Sequence, residues 1–312
     1  MIKHVSVAAL PVAENFIIQK NRIENNAGRA SKRVCVVTGT HGDELEGQYV
    51  CARLAKILND GKRKLSGIVD IYPAVNPLGI DTVTRGFPLF DLDMNRIFPG
   101  SPSGSLAEVA AYDVIRDIEG ADMCIDIHAS NIFLREIPQV RVSEQNEEAL
   151  LPWAVMLNVD LVWIHASATV LESTLAHSLN MRDVKTLVVE MGVGMRITES
   201  YCTQFVDGIL NLLRELGMWK GTPGQTREPL ISKDHNVGFL NSDAAGIFLP
   251  RAAHGSHVSA GECIGIVIDP LTGVVVEETL APCDGLLFTL REYPVVFGGS
   301  LLARIMEDVK NG

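Results

Sequence analysis

The sequence predicts an α/β sandwich followed by a small all-β unit. Between Arg33 and about Trp219, short β-branched runs alternate with amphipathic helical stretches. The polar, turn-rich run Gly-Thr-Pro-Gly-Gln-Thr-Arg-Glu-Pro at 221–229 interrupts that pattern, and from Gly238 to Ile305 only short β-type runs remain, separated by glycine and proline. At 312 residues the chain exceeds what one core normally fills, so two unequal units are expected, residues 1–222 and 223–312.

The elements follow in order. Strands are expected at 34–38, 67–72, 123–127, 159–164 and 186–190, each a run of β-branched or apolar residues. Helices are expected at 44–58, 106–119 and 199–216, where apolar residues recur at three- and four-residue intervals. Ser105 and Glu108 form a capping box before the second helix, and Gly120 supplies its stop.

Hydrophobic residues make up 47% and charged residues 21%, the balance of a packed globular chain. A formal charge of −11, with no basic cluster beyond Lys62-Arg63-Lys64, argues against a nucleic-acid partner. Six cysteines without a C-x-x-C pair read as buried reduced thiols and point to a cytoplasmic address. The apolar stretch from Val5 to Leu10 ends at Pro11, too short for a signal-peptide core, and no run reaches the roughly eighteen apolar residues of a membrane span.

The sharpest local signal is Gly39-Thr-His41-Gly-Asp-Glu44, directly after a strand and before a helix. An imidazole and a carboxylate three residues apart there project from one side and can converge on a cation. Nitrogen and oxygen donors suit Zn²⁺, and a catalytic zinc site takes three protein ligands with one position open. His128 at the end of Cys124-Ile-Asp126-Ile-His128 is the third candidate, because strand ends open into a crevice at a sheet's carboxyl edge. Alone, it reads equally as a satisfied structural histidine. Asp126 projects to the same face, either to orient a ring or to fill a polar pocket.

Glu190 closes the apolar run Thr186-Leu-Val-Val-Glu190, where a carboxylate is costly unless paired, exposed or employed. Either a backbone-bonded strand end or a proton-moving base fits it. Arg85, and the pair Asn95-Arg96 in Asp91-Leu-Asp93-Met-Asn95-Arg96-Ile-Phe-Pro99-Gly100, read either as surface ion pairs or as an oxyanion donor and a carboxylate clamp.

Taken together, H-x-x-E, N-P-x-G, D-x-N-R-x-F-P-G, D-x-H and V-E-M-G resemble the succinylglutamate desuccinylase/aspartoacylase family of the zinc-carboxypeptidase superfamily, over essentially the whole chain. The resemblance implies a zinc-carboxypeptidase-like α/β/α sandwich with a mixed sheet and one Zn²⁺ on His41, Glu44 and His128. It implies Glu190 as catalytic acid-base, Arg85 as the carbonyl-polarising arginine, and Asn95 and Arg96 as the substrate-carboxylate pair. The segment between Arg85 and Asp93 is longer than in mammalian aspartoacylases, which touches the assignment of Arg85 most. The implied activity removes an acyl group from an N-acyl amino acid or related small amide. A metallocarboxypeptidase acting on short peptides would use the same residues, and a non-catalytic zinc-binding protein is the third reading.

The expected partner is that small substrate, with neither nucleic acid nor membrane, and with room for a homo-oligomer. The tail resembles a lipoyl/biotinyl-type β fold, yet residues 268–279 contain no lysine to carry a group, so a structural or cleft-shaping role is expected of it. His4 is terminal, His165, His177 and His235 have no partner at ligand spacing, and His254 and His257 lack a third donor nearby.

Overall fold

The structure, a computed structural model, describes residues 1–25, 31–166 and 172–308. It is a mixed α/β fold with a large mixed sheet and an additional β sheet near the C-terminus. The strands are β1 (Ile2–Ala9), β2 (Asn15–Asn25), β3 (Arg33–Thr38), β4 (Gly67–Tyr72), β5 (Met123–His128), β6 (Leu134–Ser143), β7 (Leu161–His165), β8 (Lys185–Gly192) and β9 (Leu230–Lys233). The later ones are β10 (Val237–Asn241), β11 (Gly246–Pro250), β12 (His257–Val258), β13 (Cys263–Ile268), β14 (Val275–Leu280), β15 (Gly285–Arg291), β16 (Val295–Val296) and β17 (Leu301–Glu307). Helices are α1 (Glu46–Asp60), α2 (Pro77–Thr82), α3 (Leu106–Ile118), α4 (Glu147–Ala154), α5 (Leu175–Asn180) and α6 (Glu199–Glu215).

The main path runs β1-β2-β4-β3-β5-β8-β6-β15-β17-β10. Its centre, β4-β3-β5-β8, is parallel, and β6 joins β8 antiparallel. Parallel strands buried on both faces read as continuous apolar runs, which is why this centre is visible in sequence. Alternate residues part to the two faces. Val34, Val36, Ile125, Ile127, Leu187 and Val189 pack with α1 and α6, while Cys35, Val37 and Cys124 pack with α3 and α5. By the same alternation His128 and Glu190 belong to the second face. The Ser105–Glu108 capping box forms, and Gly120 takes φ +80° just beyond α3.

Several elements depart from the sequence expectation, in existence or in their bounds. The hairpin β1–β2 pairs antiparallel with β4 and carries an alternating, half-exposed pattern. Strand β6 contains Pro138, which normally argues against a central strand, but the β6–β8 register shifts between Glu136 and Gln139, and such a bulge accommodates it. Helix α1 begins at Glu46, so Glu44 lies in the preceding turn and not inside the helix expected at 44–58.

The sheet continues into the C-terminal strands: β15 pairs with β6, β17 with β15, and β10 with β17. Strands β14-β13-β11-β16 form a separate four-stranded sheet around Phe248, Ile264 and Val267. Among the described residues, no helix is long and apolar enough to cross a membrane.

Midway along β4, Asp70 is fully buried and accepts from Arg22 Nε and Nη2 (2.7 and 2.6 Å), Lys20 Nζ (3.2 Å) and Arg33 Nε (3.0 Å). This pins β2 to β4 and β3. Asp70→Asn would take the carboxylate partner from Arg22 and Arg33 and should destabilise the chain by about 3–5 kcal/mol in denaturant titration. An unchanged unfolding midpoint would show that the cluster contributes no stability.

Candidate active site

The site forms where β3, β5 and β8 end side by side, the usual crevice position of a parallel sheet. After β3 the chain turns through Gly39 to His41 and Gly42. A Cβ on Gly42 would lie 2.0 Å from the carbonyl carbon of Gly79, and its N–H donates to Thr84 O at 3.0 Å. Only glycine permits this approach. The H-x-x-E turn is thereby pressed against α2 and the loop carrying Arg85.

His41, Glu44 and His128 are all buried, with ligand atoms within 4.8 Å of one another. Both histidines turn Nδ1 toward the Glu44 carboxylate, His41 at 2.6 Å and His128 at 3.0 Å. Their opposite nitrogens face carboxylates of their own. His41 Nε2 lies 3.0 Å from Asp93 Oδ1, and His128 Nε2 lies 3.2 Å from Asp126 Oδ2, close but without hydrogen-bond alignment. A carboxylate behind each imidazole is the arrangement that orients metal-ligating histidines and raises their basicity. The donor set therefore fits a divalent cation.

Burial disfavours charge on Glu44, but His41 and His128 outweigh it and hold the carboxyl low, at about 2. Burial likewise disfavours the His41 and His128 cations, yet Glu44 beside His41, and Asp126 and Glu44 beside His128, raise both. The pocket is thus built to concentrate negative charge against imidazole nitrogen, which a bound cation would also satisfy.

Glu190 is the in-register partner of His128 on β8, and parallel partners on adjacent strands point the same way. Burial raises its carboxyl above the ordinary value, while Arg141, whose Nη1 is 3.4 Å from Oε1, pulls it back. Arg85 sends Nη1 to Glu44 Oε1 at 3.0 Å and Nη2 to within 3.5 Å of Asp93, so it belongs to the site and not to a surface pair. Asn95 spends its Oδ1 on the N–H of Leu175 at 3.0 Å, tying its loop to the start of α5. Arg96 is exposed, with Nη1 donating to the Asn95 carbonyl at 2.9 Å. All seven residues singled out in the sequence line one cavity of about 990 Å³.

The sequence does not single out several groups in or beside that cavity. Asp93, which backs His41, stands in the sequence only as part of a motif. Glu136, Arg141 and Trp163 sit on β6 and β7, and Arg304 comes from β17, far along the chain. The alternation of Arg141 with buried Val140 and Val142 was the available signal, obscured by Pro138.

His165 and His177 line the same cavity and are not among the clustered donors. His254 Nε2 lies 3.1 Å from Phe288 O and Nδ1 lies 3.3 Å from Tyr201 Oη; burial lowers it to about 4, so it is a neutral structural group. His257 instead meets Asp308 at 3.3 Å. The side chain of His235 lies outside the described residues.

Residues 30–216 match the family model described as the succinylglutamate desuccinylase/aspartoacylase catalytic domain. The chain is 28% identical, over 88% of its length and 81% of the relative's, to the N-alpha-acetyl-L-2,4-diaminobutyric acid deacetylase of Halomonas elongata. Its fold is similar to that of the product-bound ectoine utilization protein EutE (DoeB) of Ruegeria pomeroyi, with a TM-score of 0.84, 20% identity and coverage of 98% and 95% of the two chains. A succinylglutamate desuccinylase/aspartoacylase from Rhodobacter sphaeroides gives 0.81 at 24% identity, over 99% and 96%.

The carboxylates behind the histidines generate a direct expectation. Asp126→Asn should weaken divalent-cation binding by about 10–100-fold in a competitive chelator titration, with the fold retained by circular dichroism. Unaltered affinity would mean that Asp126 does not orient His128.

Proposed function

The chain belongs to the succinylglutamate desuccinylase/aspartoacylase family, and from that premise and the site geometry we propose that it is a zinc-dependent deacylase that hydrolyses the amide bond of an N-acyl amino acid. His41, Glu44 and His128 hold one zinc ion, and Glu190 moves the proton. The observation that carries this reading is the register of β5 and β8, which sets a partly buried carboxylate directly beside the last histidine of the donor set. The Halomonas relative, by its name a deacetylase of an N-acetyl amino acid, supports the substrate class. Six unpaired cysteines are in keeping with a cytoplasmic address.

Zinc, when bound, supplies the Lewis acidity that makes water acidic near neutral pH and polarises a carbonyl. The remaining work falls to the chain. Glu190, raised by burial, takes the proton of the attacking water and returns it to the departing nitrogen. Arg85, beside Glu44, donates to the carbonyl oxygen as negative charge grows there. Arg96, held at the cavity by Asn95, engages the substrate carboxylate.

The test is a panel of N-acetyl and N-succinyl amino acids, N-α-acetyl-2,4-diaminobutyrate and short peptides, assayed on protein of measured zinc content. Hydrolysis of N-acyl amino acids in proportion to zinc is expected. Preferential release of peptide C-terminal residues would replace this reading with a carboxypeptidase. Ligand binding without turnover by zinc-loaded protein would favour the non-catalytic one.

Glu190→Gln should keep zinc while kcat drops by about 10²–10⁴-fold, and near-normal turnover would remove Glu190 from the proton path. Arg96→Met should raise KM by about 10–100-fold with a smaller change in kcat, as expected when a charged hydrogen bond to bound substrate is lost. An unaltered KM would place the carboxylate elsewhere.

A further inference from the structure

Strand β8 lies between β5 and β6, so Glu190 has His128 on one side and β6 on the other. From β6, Arg141 places Nη1 3.4 Å from Glu190 Oε1 and Nη2 3.6 Å from Glu136 Oε1. One guanidinium thus spans two carboxylates. Glu136 is itself 1% exposed and takes three further donors: Thr289 Oγ1 at 2.6 Å, Gln139 Nε2 at 2.9 Å and Arg304 Nη1 at 2.9 Å.

Two of those donors come from the C-terminal strands. Thr289 on β15 is the register partner of Glu136 across the β6–β15 seam, and Arg304 is on β17. Both guanidinium groups also rest on one ring, Arg141 at 5.4 Å and Arg304 at 5.7 Å from the Trp163 centroid. The indole N–H donates to Asp234 at 2.7 Å, and Asp234 too belongs to the C-terminal segment, between β9 and β10. Buried ion clusters of this kind are weak contributors to stability compared with apolar packing. A role in fixing the geometry of the site charge that the cluster reaches through Arg141 explains them better, and that charge is Glu190.

We propose that Arg141 is a positioning residue for Glu190, and that the C-terminal strands hold Arg141 in place through Arg304 and Glu136. This rests on the reading of Glu190 as the group that moves the proton. The torsion that turns a glutamate carboxylate is broad and weakly restrained on its own. Arg141 engages one oxygen and leaves the other for the proton. Because its second nitrogen is anchored on Glu136, Arg141 cannot simply follow Glu190 when the carboxylate rotates. Glu136 keeps its place because Thr289 and Arg304 hold it from the far side of the seam. Strands β15 and β17, which bear none of the metal-binding or substrate-binding candidates, therefore reach the reaction through a chain of charges.

The experiment uses full-length, zinc-quantified protein and an N-acyl amino acid that the wild type hydrolyses. Arg141→Met should lower kcat by about 100-fold, the typical effect of misplacing a reacting group by ~1 Å, while KM stays within about twofold. Arg141→Lys, which keeps the charge but reaches one carboxylate at a time, should recover about tenfold of that loss. Arg304→Met should also lower kcat, and combined with Arg141→Met it should add little, because both act on one chain of contacts.

A raised KM with kcat preserved in Arg141→Met would make Arg141 a substrate contact and overturn the proposal. So would a double variant whose losses multiply, or a kcat loss that tracks zinc content or melting temperature and is not recovered by lysine. Wild-type activity abolished by Glu190→Gln but untouched by Arg141→Met would defeat this proposal alone. An inactive zinc-loaded wild type, or an active Glu190→Gln, would defeat the deacylase reading and this proposal with it.

Discussion

A buried carboxylate must find its partners or lose its charge, and Glu44 is where that requirement gathers separate stretches of the chain. It is 3% exposed and receives His41 from its own turn, Arg85 from the loop after α2, and both the ring of His128 and the N–H of Ala129 from the end of β5. The contacts from the end of β5 are not available without the sheet. Parallel β3 and β5 lie side by side in register, so their carboxyl ends open together and bring the two histidines to one carboxylate. Asp93, behind His41, then draws the loop of Asn95 and Arg96 to the same crevice. The order of construction runs from strand register to charge pairing to cavity.

Much of this was legible in the sequence, for a physical reason. Residues that must meet at the crevice lie just after or at the end of apolar runs, and such runs are conspicuous where strands are buried on both faces. The H-x-x-E turn, the D-x-H strand end and Glu190 are all of that kind. Glycine at 42 adds a local mark, because the close approach to Gly79 excludes any side chain.

What was hidden depends on pairings that sequence does not announce. The hairpin β1–β2 alternates polar and apolar residues at a sheet edge and gives only a weak signal. Strand β6 is masked by Pro138, and only the bulge seen in its register makes a proline tolerable there. Arg304 follows Glu136 by 168 positions, and their contact exists only because β15 and β17 extend the main sheet past β6. No spacing rule reaches that far, and the C-terminal strands therefore looked like a unit apart from the chemistry.

Buried charge occurs within the parallel strands as well as at their carboxyl ends, and the contrast between the two places separates architecture from chemistry. Within β4, Asp70 is enclosed by Arg22, Lys20 and Arg33, its carboxyl held below the usual range against the effect of burial, chiefly by Arg22. Its hydrogen bonds reach three neighbouring cations, and Asp70 does not line the cavity of the carboxyl ends. There Glu44, His128 and Glu190 line open space, with shifted proton affinities and with partners that would change if a cation or substrate arrived. Burial alone therefore does not mark a functional group. What marks it is burial combined with donor atoms turned toward a cavity, and in this chain that combination occurs where β3, β5 and β8 end.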